Sequence, residues 1–539
     1  MEHEHAFLHA IVEQPDDDLH RLAWADWLEE HDQADRAAFV RAQLRAAALP
    51  EDDPARDAAE DEADDLLALH ETEWAGAVPE LATEWEWRRG CIEHVAVSAA
   101  ALLQHGEALF GQAPVRSVHL QGPQADLRGL ADSALLGRVE RLDLSFVRPT
   151  SPPVGATFHR DQALGPLLSA PALARLRELV VRRQGVEGPL VGTLAAAGVL
   201  GRLARLDVRG NAALGDRAVR TLAEAGAPRL EALDLRGTNV THWGLRSVLA
   251  AAGLPRLRDV EFPFHLLLPP GAVRGPIVPD LPAVSRLTSL TLSDGVLPRV
   301  ELADLLQSLF GLMRALPAGS LRRLDVSRQR LRVEDVAELA DSPSLAGLRW
   351  LGLVMTRLQD SGARAFAASP HLGRLTYLDL GANQVGGPGI RALLDSPTLA
   401  NLLGLNLAGN YVGATGADLI AGSDRPRRLT ALNLADAHLD APAAQLLAGS
   451  PALSRLRVLR LANNTLGNEG AAALAASPHL RRLRELDLDG NGIDSLGLQA
   501  LVESPHLARL ARLSVKSNPL TFRDVERLQA RFGHRAQFL

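Results

Sequence analysis

The sequence predicts an α/β fold: a right-handed solenoid bent as a horseshoe, parallel β-sheet inside and helices outside, preceded by a small all-α N-terminal domain. Three observations predict it. A core of the form LxxLxL returns every 27 residues over most of the chain. Each repeat divides into a half with strand period and a half with helix period. Residues 1–48 have helical patterning and lack the repeat.

The chain begins with "HAFLHAIVEQ", "DLHRLAWADWLEEH" and "ADRAAFVRAQLRAA", each an amphipathic stretch that reads as one helix. Asp16, Asp17 and Asp18 stand where a helix start favours acid, because unpaired backbone N–H groups face them. No Gly turn or closing Glu at Ca²⁺-loop spacing follows, so capping is the reading preferred over a cation site. The run Pro15-Asp16, Arg21-Leu22, Ala25-Asp26-Trp27-Leu28-Glu29-Glu30, Asp35-Arg36-Ala37, Phe39, Arg41 and Gln43 resembles the repeat-companion domain of planctomycete bacteria (Gemmata type), found ahead of repeat arrays. That resemblance implies a companion to repeats and carries no catalytic residue over. His31 stands where the family has Gly.

Residues 49–90 follow as an acidic helical connector and N-terminal cap, with Trp74 as a docking residue. Cys91, the single cysteine, excludes an internal disulfide framework and a multi-Cys zinc site. It reads as a buried structural thiol, in what looks like an aromatic position of the companion architecture.

From residue 91 to 539 the chain is an array of about sixteen units. Leu321, Leu348, Leu375, Leu402, Leu429, Leu456, Leu483 and Leu510 open successive cores at steps of 27, as do Leu176, Leu203, Leu230 and Leu257; looser copies begin at Ile92, Val115, Val139 and Leu287. In "LRELDLDGN" the apolar residues end in alternation, as a half-buried strand requires; in "GLQALVESPHLARL" they take helical spacing. Ser504-Pro505 ends that helix, since the residue before proline is pushed out of the α region. One such unit cannot bury its own apolar face, whereas stacked units share a core. Asn211, Asn383, Asn410, Asn464, Asn491 and Asn518 follow the strands, where an amide can both donate to and accept from backbone turning off the sheet. His371, His479 and His506 recur beside Ser-Pro and lack matched acidic partners, which favours a structural column over a metal site.

The pattern LxxLxLxxN with a helical return resembles leucine-rich repeats of the ribonuclease-inhibitor type, over roughly residues 91–539. The resemblance implies a horseshoe and is specific for fold, not for function. Strands about 4.8 Å apart against helices about 8–10 Å apart turn each unit by roughly 20–25°. The stretches 145–161 and 262–280 are Pro-rich, and the unit 287–320 is lengthened; insertions of this kind become loops on one face of a solenoid, either a binding face or a tolerated surface.

The net charge of −8 argues against a general nucleic-acid binder. The amino terminus does not read as a signal peptide, and no apolar run approaches membrane length, so a cytoplasmic protein with no membrane contact is expected. No phosphate loop, nucleophile elbow or zinc-protease helix occurs: catalytic, cofactor-binding and metal residues are all expected to be none.

Acidic residues recur between the last two apolar positions of the strand: Asp143, Asp207, Asp234, Glu261, Asp325, Asp379 and Asp487. They form either a negative inner field or cross-strand pairs with arginines such as Arg141, Arg205, Arg236, Arg323 and Arg512. The chosen partner-binding residues are Trp350, Met355, Tyr377 and Tyr411, aromatic and apolar groups facing outward from consecutive strands and turns, flanked by Arg323, Asp325 and Asp379. The competing reading has these rings filling a gap against the 262–280 loop.

The function expected is a non-enzymatic scaffold that holds a protein partner of unknown identity on the concave face, monomeric by default. The alternative is a regulator of a GTPase or other enzyme, similar to Ran GTPase-activating protein or ribonuclease inhibitor.

Overall fold

The computed structural model describes residues 2–49, 54–123, 127–148, 160–262, 286–291, 310, 313–314, 316–423, 425, 428–532 and 536–537. The chain divides into two compact units, Met1–Val260 and Glu261–Leu539. Most of the 145–161, 262–280 and 287–320 irregular stretches lies outside the described residues.

The first unit opens with helices Glu2–Glu13, Asp18–Glu30 and Ala34–Ala48, then a long helix Pro54–Ala75 over the acidic connector. Asp17 caps the second helix, its carboxylate accepting from the Leu19 N–H at 2.9 Å. His31 sits at that helix's C-cap, stacked on Trp27 at 4.1 Å, and Asp32 takes the left-handed conformation there (φ 62°). The segment "EWEWR", whose charged and aromatic residues alternate, forms a strand ahead of the one expected at Ile92. β1 (Glu84–Arg88) pairs antiparallel with β2 (Cys91–Ser98) through a two-residue turn at Arg89 (φ 47°) and Gly90 (φ 87°). A Cβ on Gly90 would come within 2.7 Å of the Val40 side chain, so the third helix can lie on the turn only with glycine there.

Beyond β2 the strands run parallel in sequence order: β3 (Ser117–Pro123), β4 (Arg141–Arg148), β5 (Glu178–Val180), β6 (Arg205–Asp207), β7 (Ala232–Asp234) and β8 (Asp259–Glu261).

The second unit repeats the plan with greater regularity. β9 (Ser289–Thr291), β10 (Arg323–Asp325), β11 (Trp350–Gly352), β12 (Tyr377–Asp379), β13 (Gly404–Asn406), β14 (Ala431–Asn433), β15 (Val458–Arg460), β16 (Glu485–Asp487), β17 (Arg512–Ser514) and β18 (Ala536–Gln537) pair in parallel, each with the next. The register sets Leu324, Leu351, Leu378, Leu405, Leu432, Leu459, Leu486 and Leu513 side by side. Helices such as Gln359–Ala368, Gly387–Asp395 and Gly467–Ala476 return the chain. The leucines that open the repeats from Leu321 to Leu510 are at most 3% exposed. Each stabilises the core by about 1.5–3 kcal/mol relative to exposure.

Two polar ladders tie neighbouring repeats. The Asn383 amide donates to the carbonyls of Leu353 (2.5 Å) and Leu380 (3.0 Å), while its oxygen accepts from the N–H groups of Thr356 (2.9 Å) and Leu358 (3.2 Å). Asn211, Asn410, Asn464, Asn491 and Asn518 bond in the same manner. The second ladder uses the serine of each Ser-Pro step. Ser369, Ser396, Ser477 and Ser504 donate to Ala340, Ala367, Ala448 and Ala475 carbonyls in the preceding repeat's helix, at 2.5–2.6 Å. Ser477 Oγ also accepts from the His479 N–H at 3.2 Å, and Leu480 is buried. "Ser-Pro-His-Leu" is thus a link between repeats as well as a stop.

Candidate binding face

In the short strands the central leucine points into the core, so the residues on either side share the opposite face. Arg323, Trp350, Tyr377 and Gly404 occupy one register position on β10 to β13. Their side chains form a single stack. The Arg323 guanidinium carbon lies 3.4 Å from the Trp350 ring centroid. Trp350 and Tyr377 are 5.8 Å apart and within 4° of parallel. The stack ends on a glycine: a Cβ at Gly404 would stand 2.2 Å from Tyr377 Cδ2. Gly352 likewise leaves room for the Trp350 ring, whose Cη2 would lie 2.4 Å from a Cβ there. Both rings are half-buried, with one aromatic surface on the next residue of the stack.

Past Tyr377 the face becomes small. Gly404, Asn406 and Ala408, then Ala431, Asn433 and Ala435, supply its outward positions on β13 and β14 and the turns after them. Val458, Arg460 and Glu485 follow on β15 and β16, Arg460 donating to Glu485 at 2.7 Å. Three strand spacings separate β12 from β15, roughly 14 Å. An aromatic bank, a two-strand floor and a charged bank result. The charges act across the floor: Arg460 favours ionisation of the Tyr377 hydroxyl, although burial and then Asp379 outweigh it and raise the Tyr377 pKa. Arg460 is itself held more firmly charged, first by its bond to Glu485.

The acidic column has a role that neither sequence reading foresaw. Six of its seven carboxylates accept the backbone N–H two residues ahead and so close the turn leaving the strand: Asp143 from Ser145 (2.9 Å), Asp207 from Arg209 (3.1 Å), Asp234 from Arg236 (3.0 Å), Asp325 from Ser327 (3.0 Å), Asp379 from Gly381 (3.1 Å) and Asp487 from Asp489 (3.1 Å). Asn406 and Asn433 do the same with their amide oxygens, so the position selects an acceptor rather than a charge. Ion pairs are added locally, Arg182 to Asp207 at 2.7 Å and Arg236 to Asp234 at 2.6 Å. Burial raises the pKa of Asp379 and Asp487.

The residues expected to bind therefore fall into three places. Arg323, Trp350 and Tyr377 make the stack. Asp325 and Asp379 stand one position on, engaged with their own turns. Met355 and Tyr411 lie on the turns beyond the strands, exposed by 50% and 59%. Tyr411 stacks on His438 at 5.7 Å rather than on the Trp350–Tyr377 pair. Sequence reasoning missed Gly404, the floor and the Arg460–Glu485 bank. The available signal was small residues at matching outward positions of two consecutive repeats. The competing reading, rings packed on the 262–280 loop, falls on residues outside those described. Among the described residues no group of three or more His, Cys, Asp or Glu could hold a metal ion. No helix among them is long and apolar enough to cross a membrane.

The family model described as Leucine Rich repeat matches residues 375–394, 454–475 and 479–502. The chain thus carries leucine-rich repeats, and the parallel strand-and-helix solenoid is the architecture they build. No curated protein matches the sequence. Among solved structures it is similar to the complex of Rad7 and Elc1 in yeast, at 18% identity over 79% of this chain and 89% of that one, TM-score 0.43. An internalin from Listeria monocytogenes shows 16% identity over 64% and 88% of the two chains, TM-score 0.29. A leucine-rich repeat protein from Leptospira interrogans shows 16% identity over 79% and 90%, TM-score 0.24.

Proposed function

We propose that this protein is a non-enzymatic protein–protein interaction scaffold whose strand face holds a segment of a protein partner in the second unit. The observation that carries the reading is the Arg323–Trp350–Tyr377 stack beside a floor of small residues. Rings already stacked and braced on glycine lose little side-chain freedom on binding, which makes them efficient anchors. The floor gives an extended segment access to the sheet, and Arg460 with Glu485 offers it opposite charges. Met355 and Tyr411 extend the surface along the turns, and Asp325 and Asp379 contribute carbonyl-like acceptor edges. The repeats are of the ribonuclease-inhibitor-like type, a reading supported by the 27-residue step and the helix on each return. The helices over residues 1–48 are the planctomycete-type companion domain, with 49–90 as connector and cap to the array over 91–539, in a cytoplasmic setting. Their contacts with the first strands, described below, support a capping role.

The test is quantitative affinity purification with wild type and with a Trp350→Ala/Tyr377→Ala double variant, both confirmed folded by circular dichroism. A partner enriched by wild type and depleted at least about tenfold by the variant is expected, since anchor truncations cost about 2 kcal/mol or more. Equal recovery by both proteins rejects this face.

A further inference from the structure

The first unit contains a cavity of about 300 Å³ between the N-terminal helices, the connector helix and the first strands. Its wall holds a buried arginine that makes no ion pair among the described residues. Arg36 is 9% exposed, and its guanidinium carbon lies 4.6 Å from the Trp87 ring, 4.7 Å from Trp74, 5.4 Å from Phe39 and 5.5 Å from Trp24. One terminal nitrogen donates to the Gly90 carbonyl at 3.2 Å; the other, Nη1, has no hydrogen-bond partner. The indole nitrogens of Trp24 and Trp87, both on the same cavity, are also buried without partners. Three donor atoms without a partner therefore belong to residues that line one space. Leaving buried donors unmade is costly, and Glu4 and Glu73 offset the Arg36 charge only through space, without bonding it.

The geometry points to a binding site for a small monocarboxylate with a short apolar tail. A carboxylate offers two oxygens and about four acceptor positions, enough for Arg36 Nη1 and the two indoles. The same cavity is lined by Leu8, Val78 and Ile92, which suit an apolar tail. Glu4 and Glu73 also line it, so a second negative charge on the ligand meets repulsion. The volume is at the lower end of small-molecule sites and admits an acid of a few carbons beyond its carboxylate. The aromatic rings keep Arg36 in place when the site is empty by cation–π attraction.

Isothermal titration calorimetry of the full chain tests this with 4-methylpentanoate, 4-methylpentanamide, glutarate and N-acetyl-alanyl-leucine. Saturable binding of 4-methylpentanoate with none of the amide or glutarate is expected. Arg36→Met should weaken it at least about tenfold, and Trp87→Phe, which keeps the ring and removes one donor, by a smaller factor of about three to ten. The dipeptide carries the same carboxylate on a chain end: weaker binding assigns the site to free acids, and binding as tight as the acid supports the same site with a polypeptide C-terminus as source. Absence of binding by either carboxylate, amide binding as tight as acid, or unchanged affinity in Trp87→Phe and Trp24→Phe together overturns the proposal. The two indole variants keep the test decisive if Arg36→Met fails to fold.

Discussion

Asn383 illustrates how one side chain decides local order. It satisfies two carbonyls and two N–H groups at 2.5–3.2 Å in fully buried surroundings. Asn383→Ala removes all of these and leaves buried backbone groups unpaired, so a loss of about 2–4 kcal/mol in denaturant unfolding is expected. A loss below about 1 kcal/mol would mean that water or backbone relaxation replaces the amide. Asp379 makes the opposite case. Its turn needs an acceptor, which asparagine supplies in the neighbouring repeats. Burial raises its pKa, so its contribution to stability is full below the unfolded value of 3.8 and is lost as pH rises through the higher folded value. Asp379→Asn should therefore match or exceed wild-type stability at neutral pH, whereas Asp379→Ala should fall by about 1 kcal/mol. Cys91 is inert by the same logic: fully buried, its thiol is pushed up to about 11.

Between strands, glycine decides where rings can lie. The Tyr377 ring covers Gly404 on β13, so a branched side chain at 404 must displace it. In Gly404→Val the far-ultraviolet circular dichroism should stay as in wild type, because position 404 faces away from the core. The near-ultraviolet signal should fall as the Trp350–Tyr377 stack opens, and affinity for a strand-face partner should fall with it. An unchanged near-ultraviolet spectrum would show that the stack does not depend on the glycine. The β1–β2 hairpin is governed by the same residue type, Gly90 allowing the third helix to rest on its turn. Gln43 then accepts the Gly90 N–H at 2.7 Å. Arg21, Arg36, Gln43 and their neighbours, which mark the N-terminal motif in the sequence, are thus largely docking residues.

Each of the two compact units builds its core by stacking repeats, so stability is a sum over neighbours and the ends need closure. At the start of the array the N-terminal helices pack on the first strands. Arg21, fully buried, reaches Glu93 on β2 at 2.5 Å, and Arg89 and Arg116 approach the same carboxylate at 3.6 and 3.1 Å. Arg21→Met should destabilise the first unit by about 3 kcal/mol, the lower end for a broken buried pair because two arginines remain. Unfolding followed by hydrogen exchange in the first three helices checks it; exchange as slow as in wild type would remove the ion cluster from the account of docking. Asp16 adds a pH dependence. Its hydrogen bond with Arg116 holds its pKa below 3.8, so its stabilisation is present above that value and lost as pH falls through the lower folded one. Exchange in the same helices should accelerate in that acid range, and Asp16→Asn should remove that part of the change.

The leucine period by itself determined the solenoid, because only stacked repeats can bury one apolar stripe per strand and per helix. It also determined the asparagine column, since a polar residue at a fixed place in a buried turn has to satisfy backbone. Helical patterning likewise marked the three N-terminal helices and the acidic connector. Tertiary structure alone decided the rest. The acidic column reads as charge in one dimension, yet hydrogen bonds two residues ahead make it a turn-closing acceptor. The β1 strand alternates charged and aromatic residues over only five positions, and its antiparallel pairing with β2 came from the tertiary structure. Trp350, Tyr377 and Gly404 stand 27 residues apart along the chain. The repeat already placed the two rings on consecutive strands, but their stacking and the part Gly404 plays in it depend on contacts that no local pattern carries.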